Sequence, residues 1–181
     1  MEKSVKNWID YWNTEASLDD VTLRKNMEIF IGRTKHLLNY NKNDVILDIG
    51  CGPGYFEYFL ENNVREIHCT DTSKRYIDMC KKRFMNSKNL FFYILDSKHY
   101  TDFSFLKNKK FSIIICSSII QYYNSFDDLE KLIKEVKRIS LPGSRLLIAD
   151  IPVMTGAFPD VLGILKAAIR NKKLMEKIRE L

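Results

Sequence analysis

Val45-Ile46-Leu47-Asp48-Ile49-Gly50-Cys51-Gly52-Pro53-Gly54 reads as a buried strand that ends in an acid, a tight turn and the start of a helix. The apolar run Val45-Ile46-Leu47 predicts a first strand over 44–49. Gly50, Gly52 and Gly54 then fall on alternate positions before an aromatic-rich stretch, with Phe56, Tyr58, Phe59 and Leu60, that predicts a helix over 54–62. Residues without a Cβ let the chain bend sharply and leave bare main chain against which a ligand can lie.

Outward from this turn, apolar segments of strand length alternate with helical ones. A helix is expected over Val21–Leu38, and strands over Glu66–Thr70, Leu90–Leu95, Phe111–Cys116 and Arg145–Ala149. Thr72 or Ser73 caps a helix that runs to about Phe84. Phe91-Phe92-Tyr93 is too continuously apolar for an exposed strand, and three successive isoleucines mark Phe111–Cys116 as buried on both faces. Ser125 and Asp128 have capping-box spacing ahead of a helix with Leu129, Leu132, Ile133, Val136 and Ile139 on one side, stopped by Leu141-Pro142-Gly143. Strand–helix alternation of this kind implies an α/β fold with a doubly wound, mainly parallel sheet.

Three segments follow: N-terminal helices over 1–43, a core over 44–150 and a C-terminal basic amphipathic helix over 151–181. Trp8, Tyr11 and Trp12 share one face of the first helix. The 181 residues suffice for one domain with a substantial core, at 45% hydrophobic and 29% charged residues. Cys51, Cys69, Cys80 and Cys116 lack zinc-site spacing, and buried free thiols in a reducing cytoplasm are expected. No apolar run reaches the roughly 18 residues of a membrane span. The net charge of +6 is spread without the basic–aromatic clustering of a nucleic-acid groove, so nucleic acid is not the expected substrate.

The composite of Asp48, Gly-x-Gly-x-Gly and the flanking strand and helix resembles the first motif of class I S-adenosylmethionine-dependent methyltransferases. A nicotinamide or flavin site would instead want Gly-x-Gly-x-x-Gly, and Tyr55 follows Gly54 here. The resemblance implies a Rossmann-like core that binds S-adenosylmethionine, releases S-adenosylhomocysteine and needs no metal. It implies that Gly50, Cys51, Gly52 and Gly54 pass along the methionine part of the cofactor. Asp48 and the Gly50 carbonyl would orient its ammonium, and Tyr55 and Ile119 would wall the site. Asp71, followed by Thr72, would bind both ribose hydroxyls, since a carboxylate accepts two donors at once. Asp96 and Ser97 would meet the adenine. Ser117 and Ser118 would offer main-chain carbonyls, and Tyr11 with Trp12 would fold over the site.

A histidine common after the fourth strand in small-molecule members is replaced by Gln121-Tyr122-Tyr123, which leaves Tyr122, Tyr123 and Asp150 as the candidates to touch a small-molecule methyl acceptor. Neither the Asn-Pro-Pro-Tyr motif of amine methylases nor the aspartate of magnesium-dependent catechol-type enzymes stands at Ser117-Ser118-Ile119. Two further strands usually close the family's sheet, and the chain reaches Leu181 without a candidate for either. The expectation is a truncated chain, or a fifth strand whose edge is covered by the last helix, a second copy in a homodimer or a partner chain. A non-catalytic cofactor- or partner-binding subunit, or a fragment of a longer methyltransferase, is therefore the alternative reading. An RNA methyltransferase using the basic helix is the third.

Overall fold

Parallel pairing governs every strand contact in the computed structural model, which describes residue 12 and residues 20–106, 108–123 and 125–149. By contacts the chain divides into two units, Met1–Tyr100 and Thr101–Leu181. In the first unit the elements run α1 (Asp20–Leu38), β1 (Val45–Ile49), α2 (Tyr55–Leu60), β2 (Glu66–Asp71), α3 (Lys74–Arg83) and β3 (Leu90–Ile94). β2 lies between β1 and β3, with Asp48 opposite Cys69 and Asp71 opposite Ile94. All five β1 residues are buried, as expected of a parallel strand covered on both faces.

The predicted helix over 54–62 is shorter: α2 ends at Leu60 and Glu61–Asn63 tightens into a 3-10 turn. β2 reaches one residue further than expected, so Asp71 is its last residue. Ser73 is the cap of α3, its hydroxyl accepting the Tyr76 N–H at 3.3 Å. β3 departs from its expected full burial. Phe91 is 36% and Ile94 52% exposed, because β3 has β2 as its pairing partner among the described strands and its outer side chains meet solvent. Phe91 nonetheless has a task, for its ring stacks on His68 at 4.7 Å. His68 is fully buried, with Nδ1 3.0 Å from the Tyr93 hydroxyl and Nε2 3.0 Å from Glu66.

The second unit holds β4 (Phe111–Ser117), a 3-10 turn (Ile120–Tyr122), α4 (Phe126–Ile139) and β5 (Ser140–Ala149), with β4 and β5 parallel. Ile113, Ile114 and Ile115 are buried, as the isoleucine run requires. The apolar stripe of α4 is likewise buried at all five expected positions. Glu135 and Arg138 on α4 hold the Phe103 backbone, the carboxylate accepting its N–H at 3.2 Å and the guanidinium donating to its carbonyl at 2.9 Å. Leu141-Pro142-Gly143 does not separate helix from strand. α4 runs straight into β5, and the three residues lie in a register irregularity between the Phe111–Ser140 and Ile113–Arg145 pairs. Gly143, at φ 74°, supplies the left-handed backbone there. The expected C-terminal helix and the residues that would cover β5 lie outside the described residues, as does the first helix except Trp12. Among the described residues no helix is long and apolar enough to cross a membrane.

Ser125 caps α4 by accepting the Asp128 N–H at 3.2 Å. Ser125→Ala is expected to lower unfolding stability by about 1 kcal/mol in urea denaturation, without changing the helical signal of the native protein.

Candidate functional site

The turn from Gly50 to Gly54 is built on β2. Gly50 and Cys51 both donate their N–H groups to the Thr70 carbonyl, at 2.8 and 3.0 Å. Gly52 donates to Asp71 Oδ2 at 2.9 Å, and the other carboxylate oxygen accepts the Ser73 N–H at 2.7 Å. All three glycines have positive φ (80°, 53° and 81°), a region that favours glycine. They differ in what surrounds them. A Cβ on Gly52 would meet nothing within 4 Å, so this stretch of main chain is open to a ligand. A Cβ on Gly54 would lie 2.9 Å from both Cys80 Sγ and a Phe84 ring carbon. Gly54 is thus the point where the turn presses onto α3. Arg83 completes the clamp, donating to the Pro53 carbonyl at 2.6 Å with its guanidinium 5.0 Å from the Tyr55 ring centre.

Asp71 sits at the mouth of this turn. Burial pushes its carboxyl above the ordinary value, while the N–H groups of Ser73, Gly52 and Thr72 pull the other way. Gly52 and Ser73 each bond one carboxylate oxygen, and a carboxylate, an acceptor on both oxygens, is suited to the two donors of a vicinal diol. Asp96 follows Leu95, whose N–H bonds the Asp71 carbonyl at 2.8 Å, so the two acids stand at neighbouring strand ends. Asp96 is exposed; the Lys98 N–H and His99 hold its carboxyl below the ordinary value. Ser97 and Thr72 are half-buried. Trp12 packs beside this group, its carbonyl accepting the Ser73 hydroxyl at 3.1 Å and its ring 6.1 Å from Tyr76. Tyr11 lies outside the described residues.

Two expected positions are deeper than a ligand-facing role would suggest. Tyr55 is buried beneath Arg83, and the Asp48 side chain is enclosed with Glu57 of α2. Glu57 is wholly buried, and neither carboxyl oxygen has a hydrogen-bond donor at normal geometry among the described residues. Burial and the charge of Glu57 raise Asp48 well above the usual carboxylate range. Burial pushes Glu57 up to about 7, against the opposing effect of its bond with Asp48. Two carboxyl groups in one apolar enclosure cannot both be charged cheaply, so the pair keeps a proton. The sequence analysis missed Glu57. Its signal was an acid within Tyr55-Phe56-Glu57-Tyr58-Phe59-Leu60, where helical spacing gives no outward face to every polar position.

The second unit carries the remaining candidates. Ser117 ends β4 and Ser118, at φ 59°, turns the chain away. The Ser118 N–H bonds the Ala149 carbonyl at 3.1 Å, and its own carbonyl accepts the Gln121 side-chain amide at 2.6 Å. Tyr122 is half-buried at the end of the 3-10 turn, and the Tyr123 hydroxyl is buried. Asp150 lies outside the described residues. Among the described residues no group of three His, Cys, Asp or Glu side chains could hold a metal ion, and all four cysteines are buried free thiols.

Known proteins carry the same pattern. The methyltransferase domain family matches residues 40–180, which takes in most of the segment after Asp150. The chain is 30% identical over 129 residues to chondramide synthase of Chondromyces crocatus, covering 69% of this chain and 3% of that protein. It is 24% identical over 127 residues to N-demethylindolmycin N-methyltransferase of Streptomyces griseus, covering 70% and 49%. Among solved structures, the N-methyltransferase NodS of Bradyrhizobium japonicum WM9 superposes with a TM-score of 0.60 at 17% identity, over 83% of this chain and 84% of that one. The chain therefore spans half or less of these curated relatives. The structural likeness shows the fold, an α/β Rossmann-like methyltransferase core with parallel strands.

Gly54→Ala combines a left-handed backbone with a clash, and is expected to cost about 2–4 kcal/mol of unfolding stability; Gly52→Ala keeps only the backbone term, so its cost is the smaller of the two. The raised Glu57 value also sets a pH dependence. Between the ordinary carboxylate range and about 7 the folded chain holds a proton on Glu57 that the unfolded chain releases, so stability falls as pH rises through this window. Denaturation midpoints measured across the window should show this slope in the wild type and a shallower one in Glu57→Gln, where the buried Asp48 is the one acid of the pair left.

Proposed function

Since the chain belongs to the methyltransferase domain family, of the class I S-adenosylmethionine-dependent kind, we propose that it moves a methyl group from S-adenosylmethionine to a small-molecule acceptor by direct in-line transfer. The observation that carries this reading is the Gly50–Gly54 turn with Asp71 bonded to it: open main chain at Gly52 beside a carboxylate. These residues fit the cofactor. Gly50, Cys51, Gly52 and Gly54 would follow its methionine part, Asp71 and Thr72 its ribose, and Asp96 and Ser97 its adenine. When bound, the cofactor supplies a methyl group on positively charged sulfur, already activated toward a lone pair.

The chain's own residues then have little covalent chemistry to perform. Their work is alignment and exclusion of water. Tyr122, Tyr123 and Asp150 are the proposed contacts to the acceptor, where a hydroxyl or carboxylate would hold its nucleophilic atom or take its proton. Ser117 and Ser118 would present main-chain groups to the cofactor. Nitrogen is the favoured acceptor atom, ahead of oxygen and carbon, because two of the relatives are named as N-methyltransferases. The acceptor class is a small metabolite, sugar or natural-product intermediate, in keeping with the N-demethylindolmycin in the name of the Streptomyces relative.

Thermal unfolding with added S-adenosylhomocysteine tests the cofactor assignment. At about 100 times its dissociation constant the ligand adds roughly 2.7 kcal/mol, a rise of about 5–10 °C in midpoint for a chain of this size. In Asp71→Asn the amide accepts from one hydroxyl where the carboxylate accepts from two, and the loss of about 1.5–3 kcal/mol should cut the shift at the same ligand concentration to half or less. A wild-type midpoint unmoved by either S-adenosylhomocysteine or S-adenosylmethionine would overturn the reading in favour of a non-catalytic subunit.

A further inference from the structure

Asp48 and Glu57 bracket the Gly50–Gly54 turn in sequence, two residues before it and three after, and meet in space behind it. Asp48 is 4% exposed and Glu57 not at all. What faces the pair from each neighbouring element is neutral or acidic. β2 contributes the Cys69 thiol and, at its end, the Asp71 carboxyl; α3 contributes the Cys80 thiol; the turn contributes Cys51. Arg24 of α1 donates to the Tyr58 hydroxyl at 2.9 Å and lies over its ring, and Arg83 of α3 binds Pro53. The pair is thus buried among thiols and a third acid, with no hydrogen-bond partner at normal geometry for either Glu57 oxygen among the described residues, beside a turn whose main chain is open at Gly52.

We propose that the Asp48–Glu57 pair is a proton-linked counter-charge by which this chain distinguishes the cationic cofactor from its neutral product. This rests on the reading that the turn holds the methionine part of the cofactor. S-adenosylmethionine carries a positive sulfonium and S-adenosylhomocysteine a neutral thioether, while ammonium, carboxylate, ribose and adenine are common to both. A sulfonium placed against the turn favours the ionised pair, so the pair gives up a proton to solvent as the cofactor binds. After methyl transfer the positive charge is gone, the pair recovers its proton and the product is held less tightly. By linkage, a ligand that drives proton release binds more tightly as pH rises. Glu57 acts here through space and touches neither ligand.

The test is the ratio of the two affinities, measured calorimetrically on the whole chain from pH 6 to pH 8. Groups that act on features common to both ligands, Asp71 among them, largely cancel in that ratio. The preference for S-adenosylmethionine should rise on the order of 3–10-fold over this range, within what one charge interaction supplies at an effective dielectric constant near 20. In Glu57→Gln, which leaves Asp48 as the one acid of the pair, the pH at which the ratio rises should shift. Binding in two buffers of different ionisation enthalpy should show proton release with S-adenosylmethionine near pH 7 and little with S-adenosylhomocysteine. Infrared difference spectra of the wild type give a readout that does not depend on the variant folding, since a protonated-carboxyl band should be lost on adding S-adenosylmethionine alone. A ratio independent of pH in the wild type, or a pH-dependent ratio unchanged in Glu57→Gln, overturns the proposal. Absence of binding by both ligands at every pH would instead defeat the cofactor reading on which it rests.

Discussion

The turn between β1 and α2 has to reverse direction within five residues while resting on the end of β2, and the surrounding structure answers to that constraint. The Thr70 carbonyl takes two consecutive N–H groups from it, and the Asp71 carboxylate takes a third. Buried amides need partners, so β2 must extend far enough to supply both. Its extra residue relative to the sequence expectation is that extension. On the opposite side, Gly54 seats against Cys80 and Phe84, which fixes how closely α3 can approach. Ser73, which caps α3, also donates to the Trp12 carbonyl and so ties that residue to the same corner.

One consequence is that binding capacity and structural bracing use the same atoms. Asp71 braces Gly52 and Ser73, one on each oxygen, and is the same acid a ligand at this turn would meet. Substitutions there act on fold and ligand together, which is why an isosteric amide is more informative than alanine. The Asp48–Glu57 pair has a different character. It forms no part of the open surface, yet burial raises both of its carboxyl groups beside the turn that a ligand would meet. A buried carboxyl without donors is costly, and retaining a proton is how the folded chain avoids that cost.

Much of this was legible in the residues. Gly50, Gly52 and Gly54 announced a sharp turn, and all three take the left-handed backbone that few other residues tolerate. The isoleucines of β4 and the apolar stripe of α4 announced burial by their spacing. Other features escaped because pattern alone does not say what lies opposite. Phe91 and Ile94 read as buried in a continuous apolar run, but exposure depends on whether a neighbour covers that face. Leu141-Pro142-Gly143 read as a stop, yet β5 absorbs it as an irregularity, since a strand can bulge where a helix cannot. Glu57 read as an ordinary polar residue in a short helix.

The sequence by itself determined the order of strands and helices, the glycine turn, the family and the acids at the ends of β2 and β3, because these depend on local backbone limits and on spacing along the chain. Tertiary structure alone decided which carboxyl groups meet solvent and which meet each other. Asp96 stands exposed beside His99, Asp71 is braced by two amides, and Asp48 faces Glu57. All four acids look alike in one dimension. Their chemistry differs because ionisation is set by the dielectric and the donors around a group, and those are properties of packing.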